Sequence, residues 1–241
     1  MALIKPSILE RPGQEALNYL LRKGSSPIGV TYCPGFGSNL ITLGGQKPQS
    51  QSVWFSGNRI FFDVLTKIAT GTQVLVGSSM GGWLSLLAAI QFPEKIKGLL
   101  LIAPAPDFIE SLINREIKGE NRSKYDRGEV LCLPNPVGGG DFYLDQTFLE
   151  GSRPLQLLNG PNSEQRKTIP IRCPVRIFHG MQDDAVPFKQ SLTLAEMLES
   201  NDVDIIYRKA GTHRLAEESD MRLLSEILDR LLVDVAEKDS C

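Results

Sequence analysis

The pentapeptide Gly77-Ser78-Ser79-Met80-Gly81 constrains this chain more than any other stretch, because of what flanks it. An apolar β-type run, Gln73-Val74-Leu75-Val76, enters it, and a helix-type run, Trp83-Leu84-Ser85-Leu86-Leu87-Ala88-Ala89-Ile90, leaves it. Gly-x-Ser-x-Gly between a strand and a helix is a nucleophile elbow: a sharp turn that presents the serine hydroxyl beyond the sheet edge. Glycines two positions either side of the serine remove Cβ atoms where strand and helix crowd together. The alternative is a Gly-rich structural turn, and the flanking strand and helix favour the nucleophile.

The bulk numbers set the class of fold. With 241 residues, 41% of them hydrophobic, the chain can build one α/β domain with a substantial core. A net charge of −2, with Lys and Arg scattered, argues against a nucleic-acid partner. No apolar run approaches the roughly 20 residues of a membrane span, so no transmembrane segment is expected. Met1-Ala2-Leu3-Ile4-Lys5-Pro6 opens neither a secretory h-region nor an Arg- and Ser-rich leader, so no targeting segment is expected. Four cysteines without a C-x-x-C pair, beside two histidines, argue for free thiols and against a metal site. A phosphate loop followed by Lys and a dinucleotide fingerprint are both missing, so no cofactor is expected.

Apolar periodicity gives the element order. β-type runs occur at Ile28–Cys33, Gln73–Gly77, Ile96–Ala103, Val175–Phe178 and Val203–Tyr207. Helical spacing covers Val53–Ala69, residues 80–91, Gln190–Leu198 and Glu217–Val235. Near-continuous apolar strands such as Gly98-Leu99-Leu100-Leu101-Ile102-Ala103 belong to parallel sheets covered on both faces. Strands alternating with helices predict an α/β, mostly parallel, doubly wound sheet in a single domain, 1–241. Residues 107–168 read as a cap-like insertion within it, helical over 107–117 and 141–150.

A serine hydroxyl needs a base, usually histidine, and an acid that fixes the tautomer of that base. His213 lies in Ala210-Gly211-Thr212-His213-Arg214, past the last strand. His179 lies in Phe178-His179-Gly180-Met181-Gln182-Asp183-Asp184-Ala185-Val186-Pro187, also past a strand end. Reactive groups collect at the carboxyl ends of strands in such sheets, so both histidines qualify by position. The order Ser, acid, His decides for Ser79, Asp183 and His213. His179 then reads as a structural histidine bracing the acid loop, and Asp184 as a solvated turn carboxylate. The oxyanion donors predicted are the N–H of Met80, after the nucleophile, and the N–H of Phe36, in the Pro34-Gly35-Phe36-Gly37-Ser38 loop. Trp83 reads as core packing.

These motifs resemble the α/β-hydrolase superfamily over most of the chain. The carriers are Pro34-Gly35-Phe36, Val76–Trp83, His179–Pro187 and Asp202–Ile206 leading to His213-Arg214. Their longer spellings are similar to a narrower group, the mitochondrial palmitoyl-protein thioesterases that also cleave acyl glucuronides. The resemblance implies a serine hydrolase acting on S-acylated proteins and small acyl esters, with Ser79 as nucleophile, Asp183 as acid and His213 as base. It implies a mitochondrial location, with the cytoplasm as the alternative for a chain starting as this one does. The family passes through helix, strand and helix before its nucleophile strand, and the stretch from Gly35 to Gly77 is short for that. The fold is therefore expected to lack one internal strand and helix between residues 35 and 53. That departure leaves a second reading: a catalytically impaired variant acting as a binding or regulatory module.

Overall fold

A computed structural model describes residues 7–9, 17–19, 28–35, 65–133, 141–158 and 168–239. The apolar runs of the sequence become a five-stranded parallel sheet. Its strands are β3 (Gly29–Cys33), β4 (Gln73–Ser78), β5 (Ile96–Ile102), β8 (Val175–Gly180) and β9 (Val203–Arg208), in the order β3-β4-β5-β8-β9. Two hairpins stand outside it: β1 (Ser7–Leu9) with β2 (Leu17–Tyr19), and β6 (Leu131–Leu133) with β7 (Phe142–Leu144). The helices are α1 (Met80–Gln91), α2 (Phe108–Glu116), α3 (Gly119–Asp126), α4 (Gln146–Ser152), α5 (Gln190–Met197) and α6 (Glu218–Asp239).

Alternation along the strands fills two apolar layers. Leu75, Leu99, Leu101, Val175 and Ile177 pack with Trp83 and Leu86 of α1 and Leu194 of α5. Val74, Val76, Leu100, Ile102 and Phe178 face the other way, onto Leu224, Leu231 and Val235 of α6. Both faces of the central strands are dry, which is why their sequences read as nearly unbroken apolar runs.

The structure departs from the periodicity at two places, and a third expectation lies largely outside the described residues. Residues 141–150 are not one helix: β7 occupies Phe142–Leu144, and α4 begins at Gln146. The partner strand explains this, since Leu131 and Leu133 are buried while Cys132 between them is exposed, the two-residue period of a pleated strand. α3 was not expected, and it has no buried residue. Of the helix expected over 53–69, residues 65–67 are helical and 53–64 lie outside the described residues. The strand and helix expected to be missing between 35 and 53 also lie outside them. Within the described residues β3 pairs directly with β4, from Gly29↔Gln73 to Cys33↔Gly77.

A charged knot ties the sheet to α6. The Arg176 side chain of β8, only 8% exposed, reaches Asp202 at 2.7 Å, Asp204 at 3.1 Å and Asp234 of α6 at 3.0 Å. Its guanidinium satisfies three carboxylates that would otherwise repel one another. Arg176→Ala is expected to cost about 1–3 kcal/mol of unfolding free energy, less than a fully buried pair because Asp204 reaches water. Urea titrations at low and high salt check this, the loss shrinking as salt screens the carboxylates, the exposed Asp204 most of all.

Candidate active site

Parallel strands place their carboxyl ends on one edge of the sheet, and three loops leave that edge together. The first is the turn between β4 and α1. Ser79 sits there with φ 53° and ψ −119°, a left-handed region that costs a non-glycine residue about 1–3 kcal/mol. Backbone bonds hold it: its N–H donates to the Ile102 carbonyl at 2.8 Å, and its carbonyl accepts from the Ala105 N–H at 3.0 Å. The flanking glycines are required by space. A Cβ on Gly77 would stand 2.5 Å from the Gly81 carbonyl oxygen, and a Cβ on Gly81 would overlap the Cys33 carbonyl. Elbow, α1 and the end of β3 are therefore packed backbone against backbone.

The second loop follows β8 and carries Asp183. The third lies between β9 and α6 and carries His213. The two loops are joined directly, Gln182 N–H donating to the Gly211 carbonyl at 2.9 Å. His213 Nδ1 lies 2.7 Å from Asp183 Oδ2, and its Nε2 lies 3.1 Å from Ser79 Oγ. A carboxylate can only accept, so Nδ1 carries the hydrogen and the Nε2 lone pair faces the serine hydroxyl. That tautomer can take a proton from Ser79.

Asp183 is held by four donors. Oδ1 accepts from the N–H groups of Ala185 and Val186, at 2.9 and 2.8 Å. Oδ2 accepts from His213 and, at 3.0 Å, from His179 Nε2. Burial works to raise its proton affinity, but the bonds from His179, His213 and Val186 outweigh it, and the carboxyl is held well below the usual carboxylate range. It stays ionised wherever the protein is folded near neutrality.

The remaining sequence candidates fall as follows. His179 is completely buried and contacts Asp183, Val186 and Ser191. Asp184 is exposed. Met80 is the first residue of α1, where a helix leaves its N–H without an internal partner. Phe36 lies outside the described residues; Gly35, just before it, is close enough that its Cβ would stand 3.0 Å from Ser79 Cβ. Cys33, at the end of β3, is no rival nucleophile, because burial pushes its thiol up to about 12. Trp83 is 3% exposed and packs edge-on against Phe108, ring centroids 5.9 Å apart.

Sequence reasoning missed a set of long-range contacts made by Pro106, Asp107, Leu155, Leu157 and Leu158. Asp107, buried and left-handed at φ 63°, accepts hydrogen bonds from the backbone N–H groups of Leu157 and Leu158. Trp83 Nε1–H donates to the Leu155 carbonyl at 3.1 Å, and Gln190 Nε2–H to the Pro106 carbonyl at 2.7 Å. The signal available was Pro104-Ala105-Pro106-Asp107, an acid set directly after a strand end.

Residues 67–232 match the model of the prolyl oligopeptidase family. The mitochondrial palmitoyl-protein thioesterase ABHD10 of Homo sapiens is 30% identical over 255 residues, covering 94% of this chain and 79% of that protein. Its namesake in Rattus norvegicus is 32% identical, covering 94% and 82%. The solved structure of mouse α/β hydrolase domain-containing protein 10 superposes with a TM-score of 0.79 at 31% identity, covering 96% of this chain and 99% of that one. The chain belongs to the α/β-hydrolase superfamily, in the ABHD10 family. A putative hydrolase from Agrobacterium vitis shares the fold at a TM-score of 0.82 and 20% identity, covering 96% and 100%. The chain is accordingly a hydrolase, and in the described residues no helix is long and apolar enough to cross a membrane.

Two outcomes are expected from this geometry. Because Asp183 is held low, the stability it contributes is present above the ordinary carboxylate range near pH 4 and is lost as pH falls below it. Asp183→Asn should therefore be less stable than the parent at pH 7, and the gap should close on acidification; denaturant melts at stepped pH measure it. Gly81→Ala should cost at least about 2 kcal/mol, or prevent folding, since its new Cβ meets backbone and not a side chain that can rotate away. Thermal melting of the purified variant checks this.

Proposed function

We propose that the chain is a serine hydrolase of acyl thioesters and esters working through an acyl-enzyme on Ser79. The observation that carries this reading is His213 hydrogen-bonded to Ser79 Oγ by one ring nitrogen and to Asp183 by the other. Ser79 Oγ attacks the acyl carbonyl carbon while its proton passes to His213 Nε2. Asp183, ionised, stabilises the imidazolium and keeps Nδ1–H in place. The Met80 N–H and, from the loop after β3, the Phe36 N–H stabilise the oxyanion. The intermediate collapses, the proton leaves His213 with the thiolate or alkoxide, and Ser79 stays acylated. Water then attacks the acyl carbon with His213 as base, releasing the carboxylic acid and restoring the serine. Resident metal and organic cofactor have no part in these steps.

For substrates we infer S-acylated cysteines of proteins, with small acyl esters including acyl glucuronides as further substrates. The ABHD10 relatives are named palmitoyl-protein thioesterases, and that name supports the thioester assignment. A thiolate leaves a tetrahedral intermediate readily, so one histidine suffices for proton transfer. Residues 107–168 act in this reading as a cap within one domain, set over the acyl group. The mitochondrial label of the same relatives supports that compartment.

Ser79→Ala is expected to lower turnover of a palmitoyl thioester by roughly a thousandfold or more, and to abolish labelling by a fluorophosphonate probe. Labelling that survives in the folded variant would overturn the assignment of the nucleophile. A folded parent protein that neither labels nor turns over would favour the binding-module reading instead.

A further inference from the structure

We propose that His179 is a positioning residue that weakens the basicity of Asp183 and so lowers the pH at which Ser79 is activated. The inference rests on Ser79, Asp183 and His213 acting as a triad. It adds a fourth member that the reaction scheme leaves unused.

His179 occupies the end of β8, four residues before Asp183, with no exposed side-chain area. Its Nε2 lies 3.0 Å from Asp183 Oδ2 and 3.2 Å from the Val186 carbonyl oxygen. Both neighbours only accept, so Nε2 carries a hydrogen. Its Nδ1 lies 2.7 Å from Ser191 Oγ on α5. In the neutral ring Nδ1 accepts from that hydroxyl, which polarises the imidazole and strengthens Nε2–H as a donor. A plain brace could grip either carboxylate oxygen, and Oδ1 already serves as the anchor through two backbone amides. His179 instead bonds Oδ2, the atom that His213 uses.

Two donors sharing one oxygen divide its electron density. When His213 takes the serine proton, the carboxylate opposite it is already partly satisfied and stabilises the imidazolium less than an undivided one would. His179 thus takes a share of the carboxylate charge on which His213 draws, and the working range extends to lower pH. The titratable groups acting on Asp183 are His179 from β8 and His213 from the β9–α6 loop; α5 presents the neutral Ser191, and the Ala185 and Val186 N–H groups complete the set. An unbroken line of hydrogen bonds thus runs from α5 to the nucleophile: Ser191, His179, Asp183, His213, Ser79.

The test is the pH profile of kcat/KM for a short-chain nitrophenyl ester, whose acid limb reports the essential base of the free enzyme. His179→Leu removes the donor, and the acid limb should move upward by about half a pH unit or more. His179→Gln keeps an N–H near the Nε2 position and should return the limb most of the way to the parent. Ser191→Ala removes the polarising hydroxyl and should move the limb in the same direction by less. A folded His179→Leu protein with lower kcat and an unmoved limb would make His179 merely structural and overturn the proposal. If His179→Leu does not fold, the decision passes to Ser191→Ala, where an unmoved limb in a folded protein overturns it equally. Failure of the triad reading is separable, because it shows as turnover and fluorophosphonate labelling that persist in Ser79→Ala whatever the limb does.

Discussion

Everything at this site depends on a turn that a serine adopts only under compulsion. Ser79 at φ 53° is unfavourable by itself, and local sequence does nothing to relieve it. The compulsion comes from β5 and the loop after it, which satisfy both Ser79 backbone groups at Ile102 and Ala105. It also comes from close packing of Gly77 against Gly81 and of Gly81 against Cys33. These contacts require β3, β4 and β5 to be in register and α1 to be docked. The strained turn thus depends on the whole centre of the sheet, and its strain is repaid by burial of the core strands.

A second constraint is electrostatic. A carboxylate whose side chain is wholly shielded costs free energy unless its lone pairs are filled. Asp183 fills them with two amides from its own loop and two imidazoles from different strand ends. Each removes part of the penalty of burial, but of the four donors only His213 also reaches Ser79. The loop is shaped so that the anchor oxygen and the working oxygen are different atoms. The amides of Ala185 and Val186 fix the loop, and the Val186 bond joins the histidines in holding the carboxyl low.

Much of this was legible in the chain. The central strands β4, β5 and β8 announced themselves because both faces are buried, and α6 because Leu224, Leu231 and Val235 form a stripe against the sheet. Ser79, Asp183 and His213 were legible because chain order and strand-end placement leave few alternatives. The β6–β7 hairpin was not, since three residues per strand carry too few alternations to declare a period. α3 buries nothing and so leaves no apolar stripe to read. Pro104-Ala105-Pro106-Asp107 marks an acid after a strand end, but nothing local names its partners Leu157 and Leu158, some fifty residues on. His179 was legible as a brace, but which carboxylate oxygen it takes depends on angles that no spacing encodes.

The long-range bonds of Asp107, Trp83 and Gln190 bear on how the segment above the sheet relates to the chemistry below. Trp83 stands four residues after Ser79, on the first turn of the nucleophile helix, and its indole N–H holds the Leu155 carbonyl. Gln190, adjacent to Ser191, holds Pro106, next to the clasp at Asp107. Leu155 is therefore fastened to the helix that follows Ser79, and Pro106 to the helix that reaches Asp183 through Ser191 and His179. A shift of Pro106, Asp107 or Leu155–Leu158 large enough to break these bonds would strip partners from polar groups at both places, a cost of about 1–3 kcal/mol for each buried group left bare. Such a shift would thus disturb α1 and α5 together.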